Sequence, residues 1–325
     1  MVTAVAASRR RTATRLYDDG VVIRVTLFND PACPWGYSAS PQFRVLEWRY
    51  GSALEWRLVV IGLREGVGDL VARGWDAAAS AARSSVFRRR YGMPFSTAPK
   101  PRPAASGRAC RAIVSARVID PGSEWTVMRA LQLANFTTPL LLDDDEQLRD
   151  VLRQLPSLDA DAIVDGIDDP VVESAYQRDR AEARSAAGTP IELQGKAASS
   201  DGLVRFTAPS VIFERDGRRL DAGGWQPSLA YDTCVANLEP TLERRTAPET
   251  PLPLLQTFPG GLATAEVAML MASGPDEIPD LEAAETALVR LAGQGLAARQ
   301  PAGHDAVWRL APAIQPAVEA ASARA

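Results

Sequence analysis

The hydrophobic pattern changes period several times along the first third of the chain. VVIRVTLF (21–28) is a largely β-branched, apolar run of strand length, the pattern of a strand buried on both faces. The turn NDPACPWG (29–36) follows, and apolar residues then recur at Phe43, Leu46 and Trp48 before Gly51. That spacing predicts a helix, with Pro34 suited to its first turn and Pro41 forcing a kink or restart. LEWRLVVIGL (54–63) predicts a second strand. Strand, helix and strand this close together predict a βαβ unit with parallel strands.

From 66 to 188 the pattern is helical and alanine-rich, broken by the proline-rich loop STAPKPRPAAS (96–106). The clearest helix follows Asp169, a capping residue, with Pro170 in its first turn and Gly188 as its stop. The acids of LDDDEQL (142–148) suit a helix start better than a metal site, because consecutive carboxylates diverge. Strand character returns in LVRFTAPSVIF (203–213), and ERDG leads into RRLDAGG as a hairpin. Pro209 removes a ladder donor from that run, which predicts a cis peptide or an edge position. Gly223 and Gly224 read as a turn, and a helix over QPSLAYDTCVANL closes the unit. Further on, LATAEVAMLMA and DLEAAETALVRLAGQGLA predict two helices, and LAARQ with AVWRLA, joined by PAGHD, predicts a hairpin.

Composition narrows the chemistry. With 325 residues, 46% hydrophobic and 23% charged, the chain has material for two or three globular domains. A net charge of −4 gives no general attraction to nucleic acid or anionic membrane, and no apolar run is long enough to span a bilayer. Arg9, Arg10 and Arg11 are not followed by an apolar signal segment, so residues 1–18 read as a flexible tail. Three cysteines make no disulfide framework, which suits a reducing, cytoplasmic setting. The arginine and alanine bias is that of a GC-rich bacterial genome. His304 is the single histidine and falls in a polar turn, so a His-rich metal site is excluded and no metal is expected.

DPACPWGY after the first strand, together with TAPSVIF far downstream, resembles the DsbA family over about residues 19–240. Within that family the branch it most resembles is the cytoplasmic FrnE-like one, neighbouring the 2-hydroxychromene-2-carboxylate isomerases and kappa-class glutathione transferases. The resemblance implies an α/β chain: a thioredoxin fold (19–65 and 190–240) with a helical insertion domain (66–189). Beyond the reach of the resemblance, 241–256 has the composition of a linker, and the helix, helix and hairpin pattern after it reads as a C-terminal winged-helix-like module (257–325). The resemblance further implies that Cys33 is the nucleophile, Pro209 the cis-proline beside it, and Ala208 a substrate contact. Pro34, Trp35, Gly36 and Tyr37 are expected to line the substrate groove.

The motif departs from Cys-x-x-Cys in having Gly36 at its fourth place, so no second thiol in the turn can resolve a mixed disulfide. Three readings fit. Cys33 acts as a monothiol and is released by a low-molecular-weight thiol such as glutathione or mycothiol, with no tightly bound cofactor. Alternatively the fold is a thiol-dependent transferase or isomerase of small organic substrates, although relatives of that kind usually carry serine at the position of Cys33. In the third reading it is a non-catalytic binding protein. A helix N-terminus should lower the thiol's pKa below about 8.5, with Asp30 opposing. Cys110 is a conceivable resolving thiol, more simply a packed residue, and Cys234 reads as core. The module's acidic stretch (276–290) argues against DNA and for a protein partner or dimerisation. VFRRRYG (86–92) reads as a solvated face, or as an arginine source for an anionic substrate.

Overall fold

In a computed structural model, residues 21–272, 274 and 278–312 are described; the tail at 1–18, Asp276 and Glu277 of the acidic stretch, and the module beyond 312 lie outside them. Strand β1 (Ile23–Asn29) is buried at every position except Arg24, because it is central in a four-stranded sheet of order β2-β1-β5-β6. It pairs in parallel with β2 (Leu54–Val60), from Ile23 opposite Leu54 to Asn29 opposite Val60. Between them run α1 (Pro34–Ser38) and α2 (Ser40–Tyr50), with the break at Ala39 and Pro41 inside the restarted turn, as predicted.

The insertion comprises α3 (Gly68–Ala72), α4 (Ala77–Tyr91), α5 (Gly107–Ile119), α6 (Ser123–Thr137), α7 (Asp145–Leu152), α8 (Ala160–Asp165), α9 (Pro170–Ala183) and α10 (Pro190–Leu193). Helix α7 starts in the acidic cluster, where the Asp144 side chain accepts from the Gln147 N–H. Helix α9 ends at Ala183, short of the predicted stop at Gly188, because the chain turns to place the Ala186 N–H on the Val204 carbonyl. The insertion also covers the free edge of β2. Asp179 accepts from the Val60 N–H at 3.0 Å, and Arg117 donates to the Leu58 carbonyl at 3.0 Å. Edge groups that would otherwise offer a pairing template are thereby satisfied.

The predicted strand at 203–213 is two strands. A short hairpin of β3 (Ala197–Ser200) and β4 (Leu203–Phe206) precedes the cis peptide Ala208–Pro209. Beyond it β5 (Ser210–Arg215) enters the main sheet antiparallel to β1, and β6 (Arg218–Gly223) follows as the predicted hairpin. Helix α11 (Ser228–Leu238) returns over α2. Strand β3 has the sequence AASS and carries no apolar alternation to betray it.

The C-terminal part adds α12 (Leu252–Thr257), β7 (Leu262–Ala263), α13 (Thr264–Met271), α14 (Leu281–Gly293), β8 (Ala297–Ala302) and β9 (Asp305–Leu310), the strands in the order β7-β9-β8. The predicted helices and hairpin are present, but the segment 241–256 is no free linker. Arg245 lies 3.3 Å from the Trp48 ring centroid, the Trp48 indole donates to the Thr246 carbonyl, and α12 begins inside the segment. Val45 and Trp48 of α2 share one hydrophobic core with Leu255, Val267, Leu288 and Trp308. The junction is also ionic: Glu266, fully buried, accepts from Arg129 through both oxygens and from the Ser40 hydroxyl. Among the described residues no helix is long and apolar enough to cross a membrane.

Candidate active site

The turn after β1 is built around Asp30. Its Oδ1 accepts from the Ala32 N–H at 2.9 Å, and its Oδ2 accepts from the Leu63 N–H at 2.7 Å, the Ser106 hydroxyl at 3.1 Å and the Cys110 thiol at 3.5 Å. The carboxyl is completely buried, and that desolvation raises its pKa against all four hydrogen bonds. This scaffold leaves Cys33 as the N-cap of α1, with Pro34 at the first helical position. Tyr37 N–H donates to the Cys33 carbonyl at 3.0 Å, so the helix starts under the sulfur.

Cys33 is 7% exposed, and its Sγ donates to the Ala208 carbonyl at 3.1 Å, beside cis Pro209. Two segments 175 residues apart therefore meet at the thiol. The expected low pKa is not found. Burial, the largest effect, pushes the thiol up to about 11, aided by the charge of Asp30. The Gly36 and Trp35 N–H groups and Arg205 act in the other direction and lose. A helix N-terminus stabilises a thiolate only as far as the surroundings solvate it.

A groove of about 340 Å³ runs along the thiol, lined by Cys33, Trp35, Lys196, Arg205, Ala208 and Trp225 among others. A second cavity of about 370 Å³ shares Leu63 and Arg205 and adds Arg64 and Arg73. The positive charge of the groove comes mainly from 196–205, a stretch with no motif or periodicity that would single it out in one dimension. Sequence reasoning likewise missed Trp225; a tryptophan directly after a turn glycine pair was the available signal.

The turn residues divide between different surroundings. Trp35, 42% exposed, faces the groove and packs edge-on against Phe87 (5.0 Å between centroids) and Tyr91 (5.6 Å) of α4. The 86–92 segment is thus partly a contact surface, with the Arg90 guanidinium 6.0 Å from the Trp35 ring. Tyr37 does not line the groove. It is buried, stacks on Phe136 and donates to the Pro94 carbonyl at 2.8 Å, because residue 37 lies on the face of α1 turned toward the insertion. Pro34 borders another cavity of about 270 Å³ beneath the insertion, with walls that include Trp75, Phe87, Phe95 and Phe136.

Gly36 is backed by Asn29. A Cβ at residue 36 would overlap Asn29 Oδ1 and lie 2.9 Å from its Cγ, so a side chain there displaces Asn29. That oxygen is engaged, accepting from the Asp30 N–H at 2.8 Å. The other two thiols are free. Cys110 is buried against Asp30, and Cys234 is half-buried. His304, expected to be solvated, is exposed yet accepts from the Phe95 N–H at 3.2 Å, fastening the β8–β9 turn to the insertion.

None of the curated proteins matches the sequence. Among solved structures the chain is similar to a candidate protein disulfide isomerase from Nitrosomonas europaea, at 14% identity and a TM-score of 0.50, covering 66% of this chain and 97% of the other. It is also similar to a probable DsbA oxidoreductase from Streptomyces coelicolor, at 17% identity and 0.50, covering 67% and 91%. The cytosolic disulfide reductase DsbM from Pseudomonas aeruginosa is 18% identical with a TM-score of 0.46, covering 67% and 98%. At such identities the likeness is one of fold. The family model of the DSBA-like thioredoxin domain, however, matches residues 24–205, a span that holds the Cys33 turn, the whole insertion and Arg205. A cysteine at the N-cap position of the helix after the first strand, a downstream carbonyl that accepts from its thiol, and a family match over more than half of the sequence converge: the chain belongs to the DSBA-like thioredoxin domain family.

Proposed function

We propose that the protein is a monothiol thiol–disulfide exchange enzyme of the cytoplasm. The Cys33 thiolate attacks a mixed disulfide, forms a new S–S bond and expels the substrate's thiolate. A low-molecular-weight thiol such as glutathione or mycothiol then attacks that bond, leaving as a symmetrical disulfide and returning Cys33 to its reduced form. In total one mixed disulfide and one free thiol become one protein thiol and one small disulfide. The observation that carries this reading is the occupation of the space beside Gly36 by Asn29, next to a cysteine kept at a helix N-terminus. The groove's Lys196 and Arg205 suit a thiol bearing carboxylates. Trp35 and Ala208 are its apolar and backbone contacts.

The aromatic cavity reached past Pro34 favours one second reading, a thiol-dependent transferase or isomerase whose organic substrate occupies that space. Both are tested with glutathionylated and mycothiolated model substrates. Exchange chemistry requires turnover that Cys33→Ser abolishes; saturable binding of the small thiol without any disulfide turnover would replace it with the second reading.

A further inference from the structure

A cavity of about 220 Å³ lies where α2, α6, the loop after α12 and β9 meet, and it shares no wall residue with the cis-proline groove. Three arginines line it: Arg44 from α2, Arg129 from α6 and Arg309 from β9. Their charges are unevenly matched. Arg129 is paired with Glu266 through two hydrogen bonds, and Arg44 is paired with Glu47. Arg309 donates only to neutral oxygens among the described residues, Gln300 Oε1 at 2.7 Å and the Gly260 carbonyl at 3.4 Å. Three cations therefore face two carboxylates. Arg309 is half-buried, and that burial, with a smaller effect from the nearby Arg129, lowers its pKa. The remaining walls include Trp125, Leu133 and Phe258, with Arg44 placed 5.3 Å over the Phe258 ring.

We propose that this cavity is a binding site for a small organic anion with one carboxylate or phosphate head and a flat apolar body. The head supplies the missing negative charge at Arg309, and the body lies between Trp125 and Phe258. Arginine's planar fork holds either head group through paired donors, and at the half-buried Arg309 that pairing is stronger than at an open surface. The site exists only where the C-terminal part docks on the insertion, since Arg309, Phe258 and Gly260 come from one and Arg129 and Trp125 from the other. It does not depend on the exchange chemistry of Cys33.

Titration calorimetry on the full chain with benzoate, phenyl phosphate and inorganic phosphate tests it. The expected result is saturable one-to-one binding of benzoate or phenyl phosphate. It should weaken at least about tenfold in Arg309→Gln, recover in part in Arg309→Lys, and be lost in Thr126→Phe, which plugs the exposed mouth without touching the ion pairs. Absence of binding by all three probes overturns the proposal, as does unchanged affinity in a folded Arg309→Gln. Should Arg309→Gln fail to fold, unchanged affinity in Thr126→Phe overturns it alone. Inorganic phosphate binding as tightly as phenyl phosphate would also overturn the assigned ligand class.

Discussion

Restoring a second thiol to the turn is the most direct perturbation of this site, and the geometry says that it fails. In Gly36→Cys the new Cβ overlaps Asn29 Oδ1 and must push it out to an ordinary contact distance. Asn29 is 3% exposed and borders only a small cavity of about 100 Å³ that Gly36 also lines, and moving its side chain strips the buried Asp30 N–H of its acceptor. A buried N–H left unsatisfied costs about 1–3 kcal/mol. Forcing the side chain off its rotamer adds about 0.5–1.5 kcal/mol. Replacing a helical glycine by cysteine, itself a poor helix former, returns only about 0.3 kcal/mol. The variant should therefore be less stable by about 1–4 kcal/mol in urea denaturation, and the introduced thiol should not form a disulfide with Cys33 under mild oxidants. Asn29→Ser keeps a short acceptor for Asp30 and opens the space. The double variant should be more stable than the two single effects sum to, a coupling that a double-mutant cycle reads directly. If Gly36→Cys alone is as stable as the parent and oxidises to an intramolecular disulfide, the steric account is wrong.

Other perturbations give equally definite outcomes. Alkylation of Cys33, with Cys110 and Cys234 changed to serine, should accelerate steadily from about pH 7 toward the thiol's pKa of about 11; a plateau near neutrality would contradict its burial. Because the folded state holds this proton more tightly than the unfolded state, stability supplied by Cys33 is complete below the unfolded thiol's pKa and is lost as pH rises through about 11. Arg205→Gln removes a charge that favours the thiolate, so alkylation at fixed pH should slow, and an unchanged rate would remove Arg205 from the site. Glu266→Gln leaves Arg129 buried without its carboxylate and should destabilise the fold by about 3–5 kcal/mol. Burial alone would raise Glu266, but Arg129, Arg44 and the Ser40 hydroxyl hold it down to about 2. Its contribution is thus present above the unfolded carboxyl's pKa and lost as pH falls toward about 2, which acid denaturation of wild type against Glu266→Gln measures.

The elements that bring Cys33 to Ala208 are legible because each carries a local signal. The run 21–28 is apolar on both faces because successive residues of the central strand β1 are buried on opposite sides of the sheet, and Pro209 stands out because a ladder cannot use it. What the sequence conceals depends on neighbours that no local pattern announces. Asn29 blocks residue 36 only through the path that the turn takes in space. Arg205 reaches the thiol only because the β3–β4 hairpin folds beside it, and AASS has no pattern to announce that hairpin. The composition of 241–256 marks an irregular segment, which it is up to Pro251, after which α12 begins, but suggests a free one, which it is not, since Arg245 stacking on Trp48 has no periodicity. The pKa of Cys33 departs from expectation for a related reason: a cap position is visible in one dimension, and desolvation is not.

That pKa bears on how well a monothiol can work here. At about pH 7 a thiol with a pKa of about 11 is ionised to only about 1 part in 10⁴. Greater basicity makes the thiolate more nucleophilic, but with a Brønsted coefficient of about 0.4–0.5 about four units regain only about 40- to 100-fold. Ionisation is the larger effect, so resting Cys33 should react about a hundredfold more slowly than a thiol titrating near neutrality. The groove holds the means of recovery: the Trp35 and Gly36 N–H groups and Arg205 already favour the thiolate. A substrate that takes over the Ala208 carbonyl would release the sulfur from the bond that holds its proton in place. Exchange with a bound substrate should therefore show a lower apparent pKa than alkylation by a small reagent that does not occupy the groove. Measuring both pH profiles on the same Cys110→Ser/Cys234→Ser protein decides the matter. Coincident profiles near pH 11 would mean that substrate does not activate the thiol, and that Cys33 is held in its folded place for packing rather than for attack.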